Sequence, residues 1–181
     1  TTNQLDGQTV KSRAVYKLLK NNFFNVEYFD TQKVHFSKTS ILDFVKKFIS
    51  SDVIIIIPGS NSIKKLFPLT YWFSKLLRKD LHCIPVGGWL PETIQEKRFL
   101  EPMFRNIKSI LPQTLTQVSE LKTIFNYENV FYFPNFRFCF NTKDCCEKKS
   151  LCHRIVFFSR IDKMKGLDYI FSLAEYIYSK D

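Results

Sequence analysis

Near the first third of the chain stands "DVIIIIPGS", in which Val53 to Ile57 are five consecutive β-branched residues closed by Pro58 and Gly59. β-Branched side chains are stiff at χ1 and pack well on a pleated surface, and a run of five is too short for a buried helix. Such a strand is apolar on both faces, which is what a central parallel strand needs when helices cover both sides of its sheet. An antiparallel sheet with one wet face would instead have alternated polar and apolar residues. This single stretch therefore argues for an α/β fold.

The flanking sequence alternates accordingly. Val10, Ala14, Leu18 and Leu19 recur at helical spacing after Gly7, giving a helix over 8–21, and "FFNVEYF" reads as a strand. Ile41, Leu42, Val45, Phe48 and Ile49 mark a second amphipathic helix with Ser40 as its cap. Beyond the aliphatic strand come a helix over 62–79, the strand "LHCIPVGG", a helix near Phe99 to Arg105 and the short strand of "RNIKSILPQT". A helix from Thr116 to Phe125 and the strand "NVFYFPNF" follow. Helix–strand alternation with short loops predicts a doubly wound parallel sheet, Rossmann-like in kind. Residues 137–153, "RFCFNTKDCCEKKSLCH", are charged and without period, and read as a linker. The pattern then restarts with "RIVFF" and a helix whose apolar face holds Leu167, Ile170, Phe171, Ala174 and Ile177. The expected organisation is thus a domain over 1–136 lacking its first strand, a linker over 137–153, and the first strand and helix of a second, incomplete domain over 154–181. A helix without a preceding strand opens the pattern and a strand–helix unit without a successor closes it, so both ends read as truncated.

With 27 Lys and Arg against 17 Asp and Glu, the chain carries +10. That charge favours anionic partners: nucleic acid, phosphorylated ligands or an anionic membrane face. The cations are spread along the chain, which points to general anion attraction rather than a dedicated nucleic-acid arm. No apolar run approaches the length of a membrane span, and the opening "TTNQLDGQTVKSR" has no apolar core of a signal peptide. Four of the five cysteines crowd into Cys139, Cys145, Cys146 and Cys152, with His153 alongside. Their spacing contains no C-x-x-C, so they read as reduced cytosolic thiols before they read as a zinc site.

Ligands of open α/β sheets sit beyond the carboxyl ends of the strands. Those ends fall at Pro58 to Asn61, at Pro85 to Trp89, at Pro134 to Phe136 and at Ser159-Arg160. Glycine there lets a ligand approach the backbone, although a tight turn needs glycine just as much. The turn "SRIDKMKGLDYIF" is richer: Arg160, Lys163 and Lys165 precede Gly166 and a helix. Free N–H groups at a helix start, flanked by a guanidinium and an ammonium, suit a diphosphate; a merely solvated basic loop has the same composition. The sequence holds no G-x-G-x-x-G, no P-loop and no G-x-S-x-G elbow, and no D-x-D pair to hold a divalent metal. His35 and His82 lie in or beside expected strands and read as core or surface residues.

In this order, the motifs resemble the family 4 retaining glycosyltransferases of the GT-B fold. "VFFSRIDKMKGLDYIFSLAEYI" is similar to the start of their C-terminal domain, where Arg and Lys-Gly before a helix bind the donor's diphosphate. "DGQTVKSRAVYKLL" resembles their glycine-bearing loop and first helix, and "HCIPVGGWLPE" and "NVFYFPNF" resemble N-domain segments of members that build capsular polysaccharide, exopolysaccharide or lipopolysaccharide. The resemblance implies that Arg160 and Lys165 contact the donor diphosphate. It implies a cleft and acceptor side made by Gly7, Gln8, Gly59, Asn61, Gly87, Gly88 and Trp89, with Trp89 offering a flat face to a sugar ring or lipid-linked acceptor. No metal and no cofactor is implied beyond the nucleotide diphosphate sugar itself. Where many members carry a catalytic-region His, this chain has Gly87-Gly88-Trp89, and the family's later Glu-x7-Glu element would fall beyond Asp181.

Two readings stand. One is a hexosyltransferase fragment, inactive alone, whose parent moves a sugar with retention from a nucleotide diphosphate to a lipid-linked or surface glycan. Its partners would be donor and acceptor and no nucleic acid, in the cytoplasm, with room for peripheral contact on an anionic membrane face. The other is a non-catalytic basic α/β module that binds nucleic acid or a phosphorylated ligand.

Overall fold

A computed structural model describes residues 7–23, 25–31, 39–136 and 166–179. The chain divides into two units, Thr1–Phe138 and Cys139–Asp181. Helices α1 (Gly7–Asn22) and α2 (Thr39–Ser50) open the first unit. Strand β1 (Val53–Ile56), helix α3 (Ser60–Leu76) and strand β2 (Asp80–Cys83) follow, then α4 (Leu90–Glu96), a 3-10 turn at Arg98–Leu100 and α5 (Glu101–Arg105). Strand β3 (Ser109–Ile110) and α6 (Leu115–Phe125) complete the regular elements described there.

The strands form one parallel sheet in the order β1-β2-β3, with Ile54 opposite Leu81, Ile56 opposite Cys83, and His82 opposite Ser109. The α/β class and the parallel pairing expected from the alternation are therefore present. "NVFYFPNF" contributes a single parallel bridge, Val130 to Ile110, where a full strand is expected. The cause is chemical. Phe131 N–H donates to the Ile110 carbonyl at 3.0 Å and Phe133 N–H to the Pro112 carbonyl at 2.9 Å, so the ladder does continue. Its one absent rung is the bond that Pro112, having no N–H, cannot donate.

Side chains alternate across the strands, so Ile54, Ile56, Leu81 and Cys83 share one face. That face packs into the core with Ile63, Phe67 and Tyr71 of α3, Leu90 and Ile94 of α4, Phe104 of α5, and Leu121 and Phe125 of α6. At its centre the rings of Phe67 and Phe104 stack with centroids 4.0 Å apart and planes 9° from parallel, both wholly buried. The opposite face differs from expectation. Among the described residues β1 is an edge strand, and Val53 and Ile55 are exposed.

Two other local expectations change. The stretch at 25–30 forms no strand, and its aromatic rings bridge helices instead: Tyr28 meets Tyr16 of α1 at 5.7 Å and Phe29 meets Phe44 of α2 at 5.2 Å. Helix α2 already includes Thr39, so Ser40 lies within the helix rather than capping it. Helix α6 is bounded as its sequence requires, by Thr114 Oγ1 accepting from Gln117 N–H and by Asn126 in the left-handed conformation.

In the second unit the described element is α7 (Leu167–Tyr178). Gly166 precedes it with φ +73°, a conformation that glycine adopts without the Cβ penalty. Tyr169, Phe171, Leu173, Tyr176 and Tyr178 on this helix are exposed. The expected strand at 154–158, the linker over 137–153 and its four cysteines lie outside the described residues.

Candidate functional site at the carboxyl edge of the sheet

Backbone pairing runs past the ends of the strands. Ile84 N–H donates to the Ile56 carbonyl at 2.9 Å, Val86 N–H to the Pro58 carbonyl at 3.4 Å, and Leu111 N–H to the Cys83 carbonyl at 2.8 Å. The segments after β1, β2 and β3 consequently leave the sheet side by side, and Gly59 and Gly87 stand one residue beyond the last rung between them.

Four polar side chains hold these segments in place. Gln8, in the first turn of α1, donates through Nε2 to the Ile57 carbonyl at 2.9 Å. Its Oε1 lies where a Cβ on Gly59 would come within 2.7 Å, so the amide occupies the space that glycine leaves. One turn later Lys11 is only 3% exposed, donates through Nζ to the Pro134 carbonyl at 2.9 Å, and lies 4.6 and 5.0 Å from the ring centroids of Phe133 and Phe136. Burial lowers the Lys11 pKa, while the carbonyl and the two ring faces favour the ammonium. From the loop before α6, Gln113 donates to the Pro85 carbonyl at 3.2 Å, and from the first turn of α6 the buried Gln117 donates to the Gly87 carbonyl at 2.8 Å.

Gly87 has φ +105°, so any side chain there would be strained, and a Cβ would meet the Trp89 ring at 3.1 Å. Trp89 is half-buried, packs against the core, and spends its indole N–H on the Val86 carbonyl at 2.7 Å. Its ring is thus fixed by its own loop, and its capacity to hydrogen-bond a ligand is used. Gly88 and Gly7 have open space where a Cβ would stand, and Asn61 is exposed in the first turn of α3. Gly59 N–H is satisfied by Ser62 Oγ at 3.1 Å.

Of the residues expected from sequence, the structure brings Gln8 onto Gly59 and sets Gly59 beside the Gly87-Gly88-Trp89 loop through the Val86–Pro58 bond. These candidate residues are uncharged, and the starts of α3, α4 and α6 all lie on this edge, supplying the partial positive charge of helix N-termini. Arg160 and Lys165 lie outside the described residues. Lys11, Gln113 and Gln117 were not singled out from sequence. For Lys11 a signal existed: Gln8, Lys11 and Val15 fall at helical spacing, so two polar residues continue a stripe that a buried valine anchors.

His82, on the face opposite the core, has Nδ1 2.7 Å from Ser109 Oγ. Burial first, then nearby Lys108, lowers its pKa against the opposing pull of Asp80. Cys83 is buried, and burial drives its thiol pKa well above the ordinary range, so it is an inert core residue. No family model, no curated protein and no solved structure matches this chain.

Proposed function

We propose that this chain is the N-terminal half, with the beginning of the C-terminal half, of a retaining GT-B glycosyltransferase that transfers a hexose from a nucleotide diphosphate sugar to a lipid-linked or surface glycan. The observation that carries the reading is the seat of Gln8 against Gly59. The first turn of α1 closes on the loop after β1, beside the glycine loop after β2, so residues expected to form a cleft wall converge at one sheet edge. In this reading the three-stranded parallel sheet belongs to a doubly wound, Rossmann-like N-domain, and residues 154–181 begin the donor domain.

The chemistry follows from charge. Departure of a nucleotide diphosphate builds negative charge at the leaving oxygen, and cations already in place stabilise it without reorganisation. Arg160, with its planar fork, and Lys165, just ahead of Gly166 in the sequence, are the groups for that role. The uncharged wall of Gln8, Gly59, Asn61, Gly87 and Gly88 would face the acceptor, where sugar hydroxyls call for hydrogen bonds and close backbone approach rather than ion pairs. Protein cations replace a divalent metal in this scheme.

Calorimetric titration of the longest chain that the reading frame encodes with uridine and guanosine diphosphates tests the donor half. The expected outcome is saturable binding of one of them, weakened at least tenfold by Arg160→Ala and by Lys165→Ala. Binding of single-stranded nucleic acid with no preference for a nucleoside diphosphate would instead favour the non-catalytic basic module.

A further inference from the structure

Helix α3 buries one stripe in the core and leaves a second, equally apolar stripe in water. Leu69, Trp72 and Leu76, spaced i, i+3, i+7, are 50%, 63% and 77% exposed. A globular chain seldom displays a contiguous stripe of large apolar side chains without a use for it. Helix α2 lies against α3 through the rings of Phe48 and Phe73, whose centroids are 6.1 Å apart. Lys79 ties the two helix ends together by donating to the carbonyls of Ile49 and Ser51. On α2 another apolar stripe is exposed, made of Leu42, Val45 and Ile49.

Charge selects the occupant. Between Thr39 and Asp80 there are seven Lys and Arg residues against three Asp. Two of those carboxylates are already paired, Asp43 with Lys47 at 3.0 Å and Asp80 with Lys108 at 3.6 Å. Lys65, Lys75 and Arg78 flank the α3 stripe, are exposed, and form no ion pair among the described residues. At the C-terminal end of α3, Lys75, Arg78, Lys79, Lys108 and Asn106 line a cavity of about 380 Å³, with Asp80 its one carboxylate. Ser74 also lines it, and its buried hydroxyl has no hydrogen-bond partner.

We propose that the exposed faces of α2 and α3 dock this chain onto an anionic lipid bilayer, with Trp72, Leu69 and Leu76 entering the interface and Lys75 and Arg78 meeting lipid phosphates. A second copy would set one cationic rim against another, and a nucleic acid would stack a base on Trp72 alone and leave Leu69 and Leu76 in water. An amphipathic helix with a basic border is what binds such a surface, through apolar area plus attraction to anionic headgroups. This gives a definite surface to the membrane contact allowed in the reading above, and it stands or falls independently of nucleotide binding.

The test is sedimentation of the full chain with vesicles of phosphatidylcholine alone and with vesicles of phosphatidylcholine and phosphatidylserine in equal parts. Binding is expected only to the anionic vesicles. In a Trp89→Phe background the remaining Trp72 emission should shift to the blue as vesicles are added. Each cation near an anionic surface contributes about fivefold in affinity, so Lys75→Gln with Arg78→Gln should weaken partitioning on the order of twentyfold. Trp72→Ser with Leu76→Ser should lose it at least tenfold, and Lys122→Gln on α6, as a control, should lose little. Apart from the half-buried Trp89, these side chains are exposed, and far-UV circular dichroism verifies that the variants fold. Equal losses in the control and in the α3 pair, displacement by inorganic phosphate beyond chloride of the same ionic strength, or a Trp72 shift that follows protein concentration without vesicles would each overturn the proposal. So would equal binding to both kinds of vesicle.

Discussion

Replacing Gly59 by alanine isolates the contact on which the candidate site depends. The backbone at Gly59 is extended, φ −89° and ψ 171°, so alanine brings no conformational strain. Its Cβ, however, would stand 2.7 Å from Gln8 Oε1, closer than carbon and oxygen can approach. Because that oxygen ends a flexible side chain, the clash is relieved by expelling the amide, and the cost is the bond from Gln8 Nε2 to the Ile57 carbonyl. A partly buried hydrogen bond contributes about 1 kcal/mol net, and a carbonyl left dry and unpaired costs about 1–3 kcal/mol. Gly59 also precedes the first turn of α3, where alanine is a poorer cap by about 0.5–1 kcal/mol, offset by about 0.4–1 kcal/mol from a stiffer unfolded chain. Gly59→Ala should therefore destabilise by about 1–3 kcal/mol. In a Gln8→Ala background the same substitution should cost less than about 0.5 kcal/mol, since the group it displaces is gone. Urea unfolding of the four chains in the cycle, followed by far-UV circular dichroism with one shared slope, gives the coupling energy. Additivity within about 0.3–0.5 kcal/mol would mean that Gln8 does not rest on Gly59, and the convergence of α1 with the β1 loop would be refuted.

Three further outcomes follow from the same structure. Phe104→Ala removes one partner of the buried stack with Phe67 and should cost about 3–5 kcal/mol in urea, the largest loss considered. Lys11→Met keeps an unbranched chain under the Phe133 and Phe136 rings while sparing the burial of a charge, so its melting temperature should fall less than that of Lys11→Ala. His82 has a folded pKa below its unfolded value of about 6.5, so the unfolded chain takes up the proton first as pH drops. Stability should be full above that value and decline as pH falls toward the lowered folded value; His82→Gln, able to keep a bond to Ser109, should flatten that slope in urea titrations across this window.

How much was legible from sequence depended on what each signal reports. Val53 to Ile57 announced a parallel strand because β-branched runs record local packing, but whether that strand is central or at an edge depends on partners distant in sequence. Its exposed Val53 and Ile55 carry no separate mark. "FFNVEYF" has the composition of a strand, but aromatic residues serve a sheet or a helix junction equally well, and only Tyr16 and Phe44 decide between them. The shortening of "NVFYFPNF" to one bridge could have been anticipated from Pro112 had its pairing partner been known. At the site, glycines at strand ends were readable, because a turn after a parallel strand needs them. The amides and ammonium that hold those turns were not. Gln117 and Lys11 look like ordinary helix-surface residues, and Gln113 like a loop residue, until the fold places a carbonyl in front of each.

The central claim is sugar transfer with retention, and the most direct measurement is turnover by the longest chain that the reading frame encodes. The assay supplies labelled nucleotide diphosphate sugars with an extracted glycolipid acceptor, and nuclear magnetic resonance reads the anomeric configuration of the product. The account predicts a product with the donor's configuration, and rates that fall on the order of a hundredfold or more in Arg160→Ala and in Lys165→Ala while urea stability holds. Absence of transfer from every nucleotide sugar by a chain that is folded, or transfer at undiminished rates in both variants, would contradict it.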